Sequence, residues 1–132
     1  MKTGIIVFAH GSRIEAANEA VRAVAAELSR SAGYGHVEAA FLELGRPDLA
    51  EAVAKLAAEG VKRIIVTPYF LTLGIHLERD LPQLVDSISR RYHDLEIVVT
   101  PPLDGHPGLV QALSDRVREM FFKLSVHHSN PT

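Results

Sequence analysis

The sequence contains no cysteine. This absence excludes disulfides, thiolate zinc sites and thiol nucleophiles, so any metal ion must be held by nitrogen and oxygen ligands. Seven histidines can supply the nitrogen ligands. A metal site is therefore open to this chain, whereas sulfur chemistry is not.

The sequence also lacks long apolar runs and an excess of basic charge. No apolar run reaches the roughly 18 residues that a membrane helix needs, and residues 1–4 lead into a strand pattern rather than a signal peptide. We expect a cytoplasmic protein without membrane contact. The formal net charge of −2 carries no basic footprint, so a nucleic-acid partner is not expected.

The length and composition fit one folded domain. The 132 residues are 47% hydrophobic and 23% charged, enough for one core. We expect a single domain over residues 1–124 and a polar, disordered tail over residues 125–132.

Four apolar runs, each followed by a helical stripe, predict the fold. The strands are expected at residues 4–9, 37–44, 61–69 and 95–100. The first run shows no period-two alternation, which is typical of a central parallel strand covered on both faces. Successive β-α units predict an α/β fold, a flavodoxin-like half unit with helices on both faces of a four-stranded parallel sheet. We expect the strand order 2-1-3-4.

Glycines and prolines predict the helix limits. Gly33 is expected to end the first helix, and Pro47 to lie in the first turn of the second. Asp80 is expected to cap the third helix, with Pro82 in its first turn; the pattern leaves open whether His76 lies on that helix. The last helix begins at Pro107, with its apolar residues expected to face inward: Leu109, Leu113, Val117, Met120, Phe121 and Leu124.

Two histidines follow the first and third strands. The predicted strand order places these loops on either side of the switch point, so His10 and His76 should face one cleft. The His10 loop leads into a helix amino terminus, where anions bind favourably; the alternative is that His10 merely caps that helix. Gly74 precedes His76 and leaves room for a backbone or a flat ligand.

Glu43 adds a carboxylate at the second strand end. Burying it unpaired in an apolar strand would be costly, although on an edge strand it could simply be exposed. Together, His10, Glu43 and His76 are a normal ligand set for a divalent first-row metal. The other histidines are weaker candidates: His36, His93, His106, His127 and His128.

Several motifs in order carry a family resemblance. They are Ala9-His10-Gly11-Ser12-Arg13, Phe41-Leu42-Glu43-Leu44-Gly45-Arg46-Pro47, Thr67-Pro68-Tyr69-Phe70-Leu71, Gly74-Ile75-His76-Leu77 and Asp80-Leu81-Pro82. Over residues 4–122 the chain resembles the small class II tetrapyrrole chelatases, the sirohydrochlorin cobaltochelatase and ferrochelatase group. Its length is similar to that of the short form of this family.

The resemblance implies a function and a partner. It implies insertion of a divalent metal, Co²⁺ first and Fe²⁺ or Ni²⁺ as alternatives, into sirohydrochlorin in cobalamin or siroheme biosynthesis. It also implies a homodimer with facing clefts, and catalysis and metal binding by His10 and His76, with Glu43 as their companion. Neutral imidazole, with a pKa of about 6.5, can both accept protons and bind metal near neutral pH. No organic cofactor is expected.

Sirohydrochlorin carries carboxylates, which arginine pairs with well. Arg13, Arg46 and Arg79 stand in or beside the site loops. With Ser12 and Gly74 they form the expected substrate-binding set. The alternative for each arginine is a local surface salt bridge.

Two other functions stay open on the sequence. A phosphohistidine phosphatase or mutase would explain the His10-Gly11 pair, but Ala9 stands where an arginine would hold phosphate. A cytosolic carrier of metal or tetrapyrrole could use the same site without turnover.

Overall fold

The computed structural model describes residues 2–128, and the side chains of residues 2–126. The strands are β1 (Thr3–Ala9), β2 (Val37–Phe41), β3 (Arg63–Pro68) and β4 (Glu96–Val99). The helices are α1 (Glu15–Ala32), α2 (Leu49–Ala58), α3 (Gly74–Ser89) and α4 (Pro107–His128). Within the described part of the chain, no helix is both long and apolar enough to cross a membrane.

All four strands lie in one parallel sheet of order β2-β1-β3-β4. The predicted fold class and strand order are confirmed. β1 pairs with both β2 and β3, and Phe8 near its carboxyl end lies opposite Pro68 of β3. The loops that follow β1 and β3 therefore begin side by side.

Alternate residues of β1 contribute to two separate cores, as the two faces of a strand require. Ile6 and Phe8 belong to the larger core, with buried residues of α2 and α3. Val7 and Ala9 belong to the smaller one, with residues of α1 that include Val21. Both faces of the sheet are thus covered by helices, which explains the uninterrupted apolar run in β1.

The observed helix ends correct two predictions. Gly33 does end α1, in the left-handed conformation with φ 75°. Pro47, however, precedes α2, because Asp48 forms its amino-terminal cap and shares a reciprocal capping box with Glu51. Asp80 does not cap α3, which already begins at Gly74.

The early start of α3 changes the context of three residues. His76 lies in its first turn, and Asp80 and Pro82 lie inside the helix. The sequence pattern favoured a later start because Pro82 is typical of a first turn. The observed helix contains Pro82 within it, so His76 and Asp80 are held on one regular element.

β2 ends at Phe41, three residues earlier than predicted. The backbone of Leu42 still donates to the carbonyl of Ala9 (2.9 Å), so pairing continues briefly beyond the strand. Leu44 then adopts a positive φ of 57°, and the chain turns towards α2. Because apolar residues continue through this turn, the sequence pattern predicted a strand that was too long. Glu43 consequently lies in a loop.

The chain divides into two compact units, Met1–Pro102 and Leu103–Thr132. In the second unit, α4 begins at Pro107 as predicted and continues to His128, so residues 125–128 of the expected tail are helical. Residues 129–132 and the side chains of His127 and His128 lie outside the described residues.

Within its own unit, α4 does not bury five of the six apolar residues that were predicted to face inward. Leu109 is half-buried, whereas the exposed ones are Leu113, Val117, Met120, Phe121 and Leu124. A helical repeat reveals an apolar stripe but not whether anything covers it.

Candidate active site

His10 and Glu43 form a hydrogen-bonded pair across the ends of β1 and β2. Nε2 of His10 lies 3.0 Å from Oε1 of Glu43, and the backbone N–H of Glu43 donates to the carbonyl of His10 at 3.0 Å. Their side chains are 57% and 58% exposed. Glu43 is therefore exposed beyond an edge strand, as the alternative prediction held, and it is also paired with the neighbouring histidine.

Gly11 allows these two loops to meet. Its φ is +97°, and an added Cβ would lie 1.7 Å from the carbonyl oxygen of Glu43. A side chain there would collide with backbone that has no free rotation, in a conformation that already favours glycine. The small residue after His10 is thus required by the approach of the Glu43 loop.

The side chain of Asn18 in α1 forms hydrogen bonds with both the Ser12 loop and the Glu43 loop, a role that the sequence pattern did not predict. It is 1% exposed. Its Oδ1 accepts from the backbone N–H of Ser12 (2.9 Å), and its Nδ2 donates to the carbonyls of Ser12 (2.8 Å) and Leu44 (3.0 Å). The available signal was its place on the apolar stripe, four residues after Ile14 and three before Val21, where a polar residue needs partners.

The loop between β1 and α1 is closed by its own hydrogen bonds. The hydroxyl of Ser12 accepts from the backbone N–H of Ile14 at 3.0 Å. Ile14 occupies the cap position of α1 without a side-chain cap, so the interpretation of His10 as a helix cap is wrong. His10 is instead turned towards Glu43.

His10 and His76 line one cavity of about 400 Å³ beyond the carboxyl ends of β1 and β3. The cavity is lined by His10, Leu42, Phe70, Leu73, Gly74, Ile75, His76, Leu77 and Asp80. The ring of Phe70 meets that of His10 edge to face, with 6.5 Å between centroids and 81° between planes. The walls are mostly apolar, and the two imidazoles are among their few polar groups. Small-molecule sites typically combine apolar walls with a few polar groups in this way.

The expected three-ligand metal site is not assembled in this conformation. Among the described residues, no group of three or more His, Cys, Asp or Glu side chains is close enough to hold a metal ion. The structure brings His10 and Glu43 together and places His76 on the wall of the same cavity. Joint ligation by these three residues stays a prediction.

The predicted substrate-binding arginines differ in their contacts. Nη2 of Arg46 lies 2.5 Å from Oε2 of Glu51, and this hydrogen bond holds the pKa of the Glu51 carboxyl below its ordinary value. Nε of Arg79 lies 3.2 Å from Oδ1 of Asp80. Arg13 is exposed beside Ser12. Local salt bridges therefore occupy two of the three arginines.

Gly74 combines an unusual backbone with open surroundings. Its φ is +75°, and no atom lies within 4 Å of the position that a Cβ would occupy. The backbone conformation favours glycine there, and Gly74 is one of the residues that line the cavity.

Several known proteins resemble this chain. The family described as CbiX matches residues 4–120. A sirohydrochlorin cobaltochelatase of Methanothermobacter thermautotrophicus is 33% identical over an alignment of 132 positions, which spans 89% of this chain and 92% of that protein. A chloroplastic sirohydrochlorin ferrochelatase of Arabidopsis thaliana is 31% identical over 115 residues, which cover 87% of this chain and 51% of that one.

A solved structure shows the same fold. The crystal structure of a putative CbiX protein of cobalamin (vitamin B12) biosynthesis from Marinobacter aquaeolei superposes with a TM-score of 0.82 and 29% identity, covering 92% of this chain and 98% of that one. The resemblance to tetrapyrrole chelatases is confirmed, and with it the enzyme class, a metal chelatase. The family match over most of the chain, together with the sheet order that brings His10 and His76 to one cavity, establishes that this chain belongs to the CbiX family.

Proposed function

We propose that this protein inserts a divalent metal ion into sirohydrochlorin. The observation that carries the proposal is the cavity in which two imidazoles, one of them paired with a carboxylate, stand in mostly apolar walls. Relatives that are 33% and 31% identical bear the names of sirohydrochlorin chelatases.

The reaction needs groups that accept protons and hold metal loosely. Two pyrrolic N–H protons must leave the macrocycle, and the metal must exchange its ligands stepwise for the ring nitrogens. When Nε2 of His10 donates to Glu43, its Nδ1 keeps a free lone pair for a proton or a metal ion. His76 supplies a second imidazole. We assign catalysis and metal binding to His10, His76 and Glu43, without an organic cofactor.

Positive side chains can hold the carboxylates of the substrate. Arg13 is exposed next to the site, and the Arg79 salt bridge is at the surface, where such pairs contribute little. Both can turn to a substrate carboxylate at small cost. Arg46 would first have to leave Glu51. Ser12 and Gly74 complete the proposed binding set, with Gly74 leaving room for the ring.

We propose Co²⁺ as the metal, with Fe²⁺ and Ni²⁺ as alternatives. The relative from M. thermautotrophicus is named a cobaltochelatase and the relative from A. thaliana a ferrochelatase. Imidazole and carboxylate ligands suit several divalent ions, so geometry and supply decide the selection. Insertion rates for the three metals at equal free concentration would rank them.

We also propose a cytoplasmic homodimer. The chain spans about half the length of the A. thaliana relative, so two copies would match the length of that protein. In a dimer with facing cavities, the second copy would cover the macrocycle from the other side. Light scattering after size-exclusion chromatography should give twice the mass of one 14.4 kDa chain; a monomer at every working concentration would refute the dimer.

The activity is tested by anaerobic incubation of the protein with sirohydrochlorin and each metal. Insertion changes the visible absorption bands of the macrocycle, and we expect this change to be faster than in a protein-free control. No acceleration with Co²⁺, Fe²⁺ or Ni²⁺ would contradict the proposal. Spectra of binding without insertion would instead support a carrier.

A further inference from the structure

Asp80 lines the same cavity as His10 and His76. It lies four residues after His76 on α3. Side chains at this spacing are neighbours on a helix surface, with Cβ atoms about 5–6 Å apart. The cavity therefore has a carboxylate one helical turn from its second imidazole.

The observed contact of Asp80 is a weak one. Its Oδ1 accepts from Nε of the adjacent Arg79 at 3.2 Å, and the two side chains are 56% and 65% exposed. An exposed pair of this kind contributes little to stability. Turning the Asp80 carboxylate away from Arg79 is therefore cheap, most of all when Arg79 takes up a substrate carboxylate.

The other end of the cavity shows what a carboxylate does for an imidazole. Glu43 holds the ring of His10 at 3.0 Å. His76 has the carboxylate of Asp80 one turn away on its own helix, and both residues line the cavity. The cavity thus contains two histidines, each with one acidic side chain beside it.

We propose that Asp80 is the positioning residue of His76, accepting a hydrogen bond from one ring N–H when sirohydrochlorin enters the cavity. The inference rests on the proposed chelatase function. The hydrogen bond fixes which ring nitrogen carries hydrogen and leaves the lone pair of the other directed at the macrocycle. Asp80 acts through His76 and does not itself touch the reacting atoms.

The kinetic test compares Asp80→Asn with Asp80→Glu, using Asp86→Asn as the matched control. Asp86 lies on the same helix and pairs with Arg90 at 2.7 Å, so its change removes the same charge outside the cavity that holds His76. Loss of a carboxylate behind a metal-binding histidine typically lowers metal affinity or activity about 10–100-fold. We expect kcat of Asp80→Asn to fall by that factor, with KM for sirohydrochlorin within about twofold, because uniform binding is retained.

The Glu variant and the control decide between positioning and mere folding. Asp80→Glu, which keeps the carboxylate, should recover a large part of kcat, and Asp86→Asn should match the unaltered protein. A purely structural role would give no recovery by Glu and a lower melting temperature. Unchanged kcat in Asp80→Asn would overturn the inference.

A readout without turnover separates this inference from the chelatase proposal. With sirohydrochlorin bound and no metal added, long-range ¹H–¹⁵N spectra should show one dominant tautomer of His76, and a mixture in Asp80→Asn. Identical tautomer signals in both proteins would overturn the role of Asp80. Absence of metal insertion by the unaltered protein would overturn the chelatase proposal and leave this measurement interpretable.

Discussion

Oε1 of Glu43 lies 3.0 Å from Nε2 of His10, so residues that follow two adjacent strands form one acid–imidazole pair. Both side chains are more than half exposed. The two side chains are not brought together by burial. Their loops are held close by the backbone hydrogen bond between Glu43 and His10, and Gly11 allows this close approach. The pair is available to a ligand in the cavity.

Replacing Glu43 should weaken metal insertion without weakening the fold. In Glu43→Gln the amide keeps the size of the side chain but cannot act as an anionic acceptor, so the imidazole of His10 loses its charged partner. We expect kcat for Co²⁺ insertion to fall about 10–100-fold and the melting temperature to stay unchanged.

The matched control for this variant is Glu38→Gln. Glu38 lies on β2, the strand that precedes the Glu43 loop. It pairs with Lys55 of α2, and neither residue lines the cavity. Equal losses of activity in the two variants would show that the effect of Glu43→Gln is one of charge alone.

His76→Ala should remove most activity and leave the fold intact. His76 is exposed in the cavity wall, so its truncation leaves no buried void, and surface changes of this kind usually shift stability by less than about 0.5 kcal/mol. Insertion rates and urea unfolding measure the two effects. His93→Ala, an exposed histidine after α3, is the control that should keep full activity. Unchanged turnover in His76→Ala would refute its role.

Asn18→Ala should destabilise the protein. It removes the part-buried hydrogen bonds that Asn18 makes to the backbone of Ser12 and Leu44, and each such bond contributes about 0.5–1.5 kcal/mol. We expect a loss of at least about 2 kcal/mol in urea unfolding, with a fall in activity as the His10 and Glu43 loops loosen. Ser31→Ala, at an exposed position of the same helix, should change stability by less than about 0.5 kcal/mol.

Gly11→Ala should be far more damaging than Gly33→Ala. Both glycines have positive φ, but only at Gly11 would the new Cβ meet backbone, 1.7 Å from the carbonyl oxygen of Glu43. At Gly33 nothing lies within 4 Å, so only the left-handed conformation costs energy, about 1–2 kcal/mol. Similar melting temperatures for the two variants would contradict the close approach of the loops.

The Glu51 carboxyl should contribute to the acid sensitivity of the fold. Hydrogen bonds from Arg46 first, and then from the backbone of Asp48, lower its pKa below the ordinary value of 4.5. A lowered folded-state pKa stabilises the protein above the unfolded pKa, and this stabilisation is lost as the pH falls through the folded value.

Glu51→Gln tests this pH dependence, because glutamine keeps the capping box but not the charge. The difference in urea midpoint between the two proteins should be largest near pH 6 and shrink as the pH falls below the ordinary pKa of 4.5. A difference that stays constant over this range would contradict the pKa assignment.

Much of the site could be predicted from the sequence because the predicted strand order was correct. Continuous apolar runs separated by helical stripes require a parallel sheet, and the order β2-β1-β3-β4 brings the residues after β1 and β3 together. His10 and His76 could therefore be assigned to one cavity from their places along the chain. The motifs around them carried the family resemblance, which the CbiX match confirms.

The remaining features depend on contacts between residues distant in the chain. In the sequence, Asn18 looks like an ordinary helical residue. In the structure, its side chain donates hydrogen bonds to carbonyls of two separate loops. α3 starts at Gly74, well before the Pro82 that the sequence pattern placed in its first turn, and this start puts His76 and Asp80 one helical turn apart.

By itself, the sequence indicated the strands of the sheet and the residue types at its carboxyl edge, because periodicity is a local property, whereas the strand order was expected by analogy with flavodoxin-like sheets. The tertiary structure alone decided that Glu43 pairs with His10 and that Asn18 joins their loops. These depend on distances between segments, which no pattern along the chain encodes.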